Sequence, residues 1–449
     1  MTHTSILTLA EIESMGPPVP EELTDTNISE EFLCDLALKH VAMLAEPSTG
    51  AVAERLCLPR TLAEELLQKL HREKLIEVRQ QTAPGATRYA MLDRGWERVA
   101  RLRRMCGYAG AAPVALEDYA HLTRLQAVPG KPATIEAVRK AFSDLVLPDS
   151  LLQTLGCVIN SRRSLFLTGL PGTGKTAVAE RINAALTGAI WIPYAVEIDN
   201  QVIRLFDAHC HHPVDTDVMP AEYDRRWVLI ERPLVIVGGE LTLEQTNLAW
   251  SDTSCFYEAP FQMKANGGTL VIDDFGRQRV SPQDLLNRWI VPLERRVDYL
   301  AMQTGRKLEV PFEELVLFST NLEAKDLVDE AFLRRMGYRA RVELPTPAAY
   351  IEIFKRAATA RGLDFDQACL DHLLNNYIIE HRPMKSCEPR DLLNRATDIC
   401  VFEGAPLELT PKLINAAWRN YFGASHSFAP QLTQTDVQEQ TTDADLLQI

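Results

Sequence analysis

Apolar positions along the chain change their period several times, and each change marks a predicted element. The first 28 residues contain "GPPVPEELTDT" and little periodicity, which predicts an extended arm over 1–28. From Ser29, "SEEFLCDLALKHVAMLA" places apolar residues at helical spacing, with Ser29 as cap ahead of Glu30 and Glu31. "STGAVAERLCLP" and "RTLAEELLQKLHREKLI" predict two helices joined by a turn at Leu58–Pro59. "IEVRQQTAPGATRYAML" predicts two strands around Ala83, Pro84 and Gly85, and a basic helix, "DRGWERVARLRRM", closes the segment. Helix, helix-turn-helix and ribbon in that order predict a winged helix over 29–106.

Residues 107–134 are punctuated by Pro, Gly and Ala and are expected as a linker. Between 135 and 345, short apolar runs alternate with helical patterns, the sign of an α/β domain built on a mostly parallel sheet. Over 346–422 the period is helical only, which predicts a separate helical lid. The polar tail over 423–449 predicts disorder.

Composition narrows the class. The 449 residues, 46% hydrophobic and 24% charged, suit a globular chain of several domains. No apolar run approaches the roughly 18 residues of a membrane span, so no membrane insertion is expected. The opening "MTHTSILTLAEIESMG" has neither a basic segment nor a long apolar one, so no secretion signal is expected. Nine scattered cysteines without a CxxC pair suit reduced thiols in a cytoplasm. The net charge of −14 is uneven: residues 1–30 hold six acids and residues 423–449 four, and neither stretch holds Lys or Arg. Residues 31–108 instead carry 13 Lys/Arg against 10 Asp/Glu, so an anionic partner for that segment stays open.

The strongest chemical signal is "SLFLTGLPGTGKTAVAERI", a strand, then G-x-x-x-x-G-K-[ST], then a helix. Glycines let the backbone bend so that successive N–H groups face a phosphate at a helix N-terminus. The cradle is Gly169, Leu170, Pro171, Gly172, Thr173 and Gly174, with Ala177 opening the helix behind it. Lys175 is expected to reach the β- and γ-phosphates of ATP, and the Thr176 hydroxyl to ligate Mg2+. About 100 residues later "GGTLVIDDF" brings two carboxylates to a strand end. Asp273 is expected to hold the magnesium through water, and Asp274 to polarise the attacking water. Asp274 stands where glutamate is usual, one methylene shorter, which leaves open a working motor, a slower one or a switch that only binds.

In these motifs and their order the chain resembles the AAA+ ATPases over roughly residues 135–422. The resemblance implies hydrolysis of ATP, and it implies roles for further residues. "LVLFSTN" looks like the sensor-1 strand, with Asn321 orienting the lytic water. "DEAFLRRM" looks like the arginine-finger segment, with Arg335 first and Arg334 second as the group that reaches a neighbouring subunit's γ-phosphate. "CEPRDLLNRA" looks like the sensor-2 helix, with Arg390 on the phosphates. "RVDYLAMQTGRKLEVPF" is similar to the presensor hairpin of MoxR-type ATPases. The layout of "PYAVEID", "VGGELTL", "QMKANGG", "DDFGRQ" and "LLNRWIVPLE" resembles poorly characterised bacterial AAA+ proteins described as predicted ATPases with chaperone activity. Arginine fingers imply a homo-oligomer, a hexameric ring, and the chaperone-like resemblance implies an unknown protein client.

Other patterns carry weaker expectations. "DAHCHHP" groups His209, Cys210, His211 and His212, but adjacent ligands rarely close a zinc tetrahedron, and a surface loop is expected. Glu240 in "GGEL" is read either as a pore-facing loop or as a turn, and the hairpin tip 303–307 either as a substrate contact or as a solvated turn. The winged helix is read either as a duplex-DNA binder, through Arg60, Lys69, Arg72 and Lys74 with Arg79 and Arg88 on the wing, or as a protein-binding module.

Overall fold

The computed structural model describes residues 16–81, 87–127, 132–215, 220, 222–322, 327, 334–363 and 367–423. The chain divides after Glu343 into two compact units.

The first unit begins with a helical head. Ser29 and Ser48 cap the Glu30–Met43 and Thr49–Leu56 helices, their side chains accepting from the backbone N–H groups of Phe32 and Ala51. The Arg60–Arg72 helix follows Pro59, and the antiparallel strands Ile76–Gln81 and Thr87–Met91 form a ribbon whose expected turn lies outside the described residues. The Asp93–Met105 helix closes the head. Gly95 allows that closure, because a Cβ there would stand 2.2 Å from the Leu75 carbonyl oxygen.

Two expectations for this unit need correction. Described residues of the expected arm are packed: Leu23–Thr26 form a 3₁₀ turn, and Leu23 and Ile28 are buried in the head's core. The Asp224 N–H donates to the Pro17 carbonyl at 2.8 Å. Two apolar side chains with a place to go outweigh a sequence that lacks period. The expected linker is likewise structured. It holds the Val114–Ala115 strand and the Leu116–Ala127 helix, which buries Tyr119 and Leu122. Pro and Gly before Val114 obscured the helical spacing that follows them. Residues 1–15 and 128–131 lie outside the described residues.

A second sheet explains why these segments are held. Its order is Ala249–Ser251, Phe256–Glu258, Gln201–Arg204, Ala195–Ile198 and Val114–Ala115. Tyr108, Ala195, Val202 and Phe256 are buried in the same apolar cluster as the head's leucines, so head and sheet share one core. Polar ties reinforce the junction. Lys39 donates its ammonium to the Cys106 and Tyr108 carbonyls, at 2.7 and 3.1 Å. The buried Arg226 is salt-bridged to Asp224 at 2.7 Å and donates to the Thr26 and Pro113 carbonyls.

The central sheet runs Tyr338–Arg341, Leu165–Thr168, Leu315–Thr320, Thr269–Ile272, Leu234–Val237, every neighbouring pair parallel. Its inner strands are buried on both faces, as their uninterrupted apolar runs require. Register places Thr168 opposite Thr320, and Ile272 opposite Phe318, so the segments after these residues leave from one edge of the sheet. Ligands bind at that carboxyl edge in open α/β sheets. The Val297–Ala301 and Lys307–Pro311 strands form the expected hairpin. Its tip is anchored rather than free: Gln303 N–H donates to the Tyr257 hydroxyl at 3.0 Å, and Arg306 pairs with Asp199.

In the second unit the helices Pro347–Thr359, Gln367–Ile379, Glu388–Glu403 and Pro411–Phe422 enclose Tyr350, Phe354, Leu373, Leu393 and Trp418. Within this core Tyr350 and Tyr377 join hydroxyls at 2.9 Å, and Tyr377 donates to Glu388 at 2.7 Å. Residues 424–449, the expected tail, lie outside the described residues.

Candidate phosphate and metal site

The Leu165–Thr168 strand delivers the glycine loop to the carboxyl edge. Gly169 sits where a Cβ would come within 2.5 Å of the Val342 carbonyl oxygen. Gly172 and Gly174 adopt φ of 85° and 96°, which side chains disfavour, and Gly174 caps the Lys175–Ala185 helix. The first amides of that helix have no partner within it, and the helix dipole adds positive potential there. Thr173 is buried and its hydroxyl donates to the Leu170 carbonyl at 2.9 Å, bracing the loop; Pro171 and Ala177 complete the run.

Lys175 is 8% exposed, and its ammonium donates to the carbonyls of Gly169 at 2.9 Å and Leu170 at 3.2 Å. Burial lowers its pKa, and the nearby Asp273 and Asp274 carboxylates oppose that shift. A cation held at a loop mouth by carbonyls alone is a ready partner for phosphate oxygens.

The Thr176 hydroxyl donates to Asp273 Oδ2 at 3.0 Å. A hydroxyl that ligates magnesium can donate its proton to a carboxylate at this distance, so the pair fits an ion bound by Thr176 and held by Asp273 through water. Asp274 follows in a left-handed conformation, φ 48°, with its N–H bonded to Asp273 Oδ1 at 3.0 Å. Asp274 is exposed, and its carboxylate takes no hydrogen bond among the described residues. Asn321 stands one residue past the Leu315–Thr320 strand, its side-chain oxygen buried without a hydrogen-bond partner among the described residues.

Within the first unit the structure separates the arginine-finger candidates from this cluster. Arg334 and Arg335 precede the Tyr338–Arg341 strand and so lie at the amino edge of the sheet. The Leu165–Thr168 strand, about 13 Å long, stands between that edge and its own glycine loop. Arg335 donates to Glu294 Oε1 at 2.5 Å beside a cleft of about 490 Å³ that Arg163, Arg296 and Arg334 also line. Residues 329–333 of the expected finger segment lie outside the described residues. Arg390 sits in the first turn of the Glu388–Glu403 helix of the second unit, exposed and 3.4 Å from Asp391.

Gln278 was missed by sequence reasoning. Its amide bonds to three backbone groups of the loop that carries the paired aspartates. The run "DDFGRQ" held the signal, a glycine followed closely by an amide, but a glutamine six residues past a strand end has no distinguishing pattern.

The histidine cluster proves structural. His211 is 1% exposed, accepts from the Asp207 N–H at 3.0 Å and bonds the Lys264 carbonyl at 2.8 Å, so the expected surface loop is anchored inward. No metal-ligating group of three was found among the described residues. Glu240 accepts from the Gly238 N–H at 3.0 Å, a local turn that lowers its pKa. In the head, much of the basic charge is met internally. Lys69 pairs with Glu30, Arg98 with Asp35, and Arg79 with Glu77, while Arg88 donates to the Glu46 carbonyl. Arg60, Arg72 and Lys74 are exposed. Among the described residues no helix is long and apolar enough to cross a membrane.

A protein-family model described as a domain of unknown function (DUF8689) matches residues 346–420. No curated protein matches the chain. Among solved structures it is similar to NtrX from Brucella abortus in complex with ATP, at 16% identity and a TM-score of 0.38. That match covers 65% of this chain and 58% of NtrX. It is also similar to the Thermotoga maritima RuvB Holliday junction branch migration motor, at 16% identity over 66% of this chain and 73% of that one, with a TM-score of 0.35.

Proposed function

We propose that the protein is a magnesium-dependent ATPase of AAA+ type, cytoplasmic, that works as a homo-oligomeric ring and remodels a protein client. The observation that carries the reading is the meeting of Lys175, Thr176 and Asp273 at the carboxyl edge of the sheet, with Thr176 3.0 Å from Asp273. A glycine loop at a helix N-terminus, an ammonium and a hydroxyl hydrogen-bonded to a carboxylate together suit a nucleoside triphosphate with its magnesium.

In this reading the loop amides and Lys175 bind the phosphates, while Thr176 and Asp273 hold the ion. Magnesium, when bound, offsets phosphate charge as it shifts to the leaving group. Asp274 takes the proton of the attacking water, and Asn321 orients that water. The position of Arg335 at the other sheet edge supports action on a neighbouring copy's nucleotide, which makes assembly part of the mechanism; Arg334 is its substitute. Arg390 of the helical unit, read as a lid, serves as a second phosphate sensor.

Steady-state turnover of the full chain beside Asp274→Ala and Arg335→Ala, across protein concentrations that span assembly, tests the reading. Turnover that rises with concentration and is lost in both variants is expected. Tight nucleotide binding with near-zero turnover in the wild type would leave a switch instead.

The second reading, an ATP-switched regulator on duplex DNA, draws on the head: its three helices, ribbon and closing helix follow the winged-helix order, with Arg72 and Lys74 exposed. Internal pairing of Lys69, Arg79 and Arg98 weakens it. Salt-sensitive duplex binding that disappears in Arg72→Ala/Lys74→Ala would favour it over client remodelling.

A further inference from the structure

The loop after the Thr269–Ile272 strand spends no backbone polar group on solvent between Asp273 N–H and Gly276 N–H. Asp273 N–H donates to the Val237 carbonyl at 2.8 Å, and Phe275 N–H to the Ser319 carbonyl at 2.7 Å. Asp274 N–H is taken by the Asp273 carboxylate at 3.0 Å. The Asp274 carbonyl accepts from Arg277 N–H at 3.0 Å, and the two remaining groups, the Asp273 carbonyl and Gly276 N–H, converge with it on one side chain. Gln278 donates its Nε2 to the carbonyls of Asp273 at 2.8 Å and Asp274 at 3.3 Å, and its Oε1 accepts from Gly276 N–H at 2.8 Å. On the sheet side the Phe275 carbonyl accepts from the fully buried Thr320 hydroxyl at 2.7 Å, and that hydroxyl accepts from Leu322 N–H at 3.1 Å. Thr320 is the residue before Asn321.

This ring of bonds holds an unfavourable backbone. Asp274 sits at φ 48°, where a side chain crowds its own carbonyl, and Gly276 follows at φ 101°. A Cβ on Gly276 would lie 2.6 Å from Leu327 and 3.1 Å from Leu322, so the turn also needs its glycine. A glutamate could adjust its reach through one more rotatable bond. An aspartate has one rotatable bond fewer, so its carboxylate depends more closely on the backbone, and catalysis is sensitive to placement at the level of about 1 Å.

We propose that Gln278 is a positioning residue for nucleotide hydrolysis, its amide locking the Asp273–Gly276 loop in the left-handed turn that places the Asp274 carboxylate. Thr320 shares the task from the sheet side and ties that loop to the strand end bearing Asn321. The proposal rests on the ATPase reading above. It also accounts for a short acid in that position, because a rigid loop replaces the reach of a longer side chain.

The test uses the full chain with Gln278→Met, which keeps length without hydrogen bonds, and Gln278→Glu, which keeps only the acceptor unless protonated. Three quantities are read: affinity for a fluorescent ADP analogue, steady-state turnover, and hydrogen exchange of the Gly276 amide. For Gln278→Met, affinity within about threefold of wild type, kcat lower by about tenfold or more, and faster Gly276 exchange are expected. In Gln278→Glu kcat is also lower, because the donor to the Asp273 carbonyl is lost while the acceptor for Gly276 N–H is kept. Thr320→Val lowers kcat in the same direction.

Wild-type kcat in Gln278→Met overturns the proposal, as does a loss of affinity and turnover in step with a lower melting temperature. A wild-type chain that binds nucleotide without turning it over removes the ATPase reading, and with it the role in hydrolysis. Exchange at Gly276 then decides the clamp on its own: a rate in Gln278→Met equal to wild type removes that as well.

Discussion

The hydroxyl of Thr176 and the carboxylate of Asp273, 97 residues apart in sequence, stand 3.0 Å apart across the edge of the central sheet. One comes from the first turn of a helix, the other from the end of a strand two places away. The hydrogen bond orients the hydroxyl lone pairs and sets the carboxylate one shell behind them, an arrangement that suits a small, hard, divalent cation with bound water.

In the proposed site, removing one oxygen of this pair is expected to separate ion binding from nucleotide binding. Thr176→Val and Asp273→Asn are expected to bind ADP in EDTA within a few-fold of wild type, since the loop and Lys175 are intact. The extra affinity that magnesium confers falls by about tenfold or more in each. Titration of a fluorescent ADP analogue with and without Mg2+ checks this, and an undiminished magnesium increment in both variants would remove the pair as the ion site.

Arg335 and Glu294 make a 2.5 Å pair at the sheet edge opposite the glycine loop. If Arg335 serves a neighbour's nucleotide, two inactive variants rescue each other. Equal mixing of Lys175→Ala with Arg335→Ala is expected to restore about a quarter of wild-type turnover, from interfaces that have one intact half from each chain. No recovery after subunit exchange argues against action between copies.

Glu314 is fully buried and neither carboxylate oxygen has a hydrogen-bond partner among the described residues. Burial pushes its pKa well above the usual carboxylate range, against the pull of Arg296. A raised folded-state pKa gives stability that is complete below the unfolded value and is lost as pH rises through the folded one. Glu314→Gln, neutral at every pH, is therefore expected to gain on wild type as pH rises, by about 1–3 kcal/mol at pH 8. Urea midpoints at pH 5 and pH 8 measure it, and equal differences at both values would contradict it.

His211 produces the opposite slope. Its Nδ1 accepts the Asp207 N–H, so a proton there would meet a donor, and burial lowers its pKa. The unfolded chain takes that proton near pH 6.5 while the native state resists it, so stability is lost as pH falls below that value. His211→Phe, less stable at pH 7.5 through two lost hydrogen bonds, is expected to show a shallower acid slope. An unchanged slope between pH 7 and 5 assigns the acid loss elsewhere, with the buried His40, its pKa also lowered by burial, the next group to vary.

The chain's own residues determined a great deal without any coordinates. A glycine loop between an apolar run and a helix carries its geometry locally, because φ near 90° at Gly172 and Gly174 needs no distant partner. The alternation of strand and helix patterns announced a parallel sheet, since strands buried on both faces must read as unbroken apolar runs. What lay beyond reach were relations set by packing. Leu23 and Ile28 looked like a loose arm because their partners come from elsewhere in the chain, and the helix over Leu116–Ala127 was lost behind Gly and Pro for the same reason. A charge count could not reveal that Lys69, Arg79 and Arg98 pair with Glu30, Glu77 and Asp35, because pairing depends on which faces meet. Only the tertiary structure could put Arg335 at the far edge of the sheet from Lys175, because strand direction, not sequence distance, decides the edge on which a residue falls. Only it could show Gln278 closing the loop of Asp274, since a side chain that serves backbone groups leaves no periodic trace in the sequence.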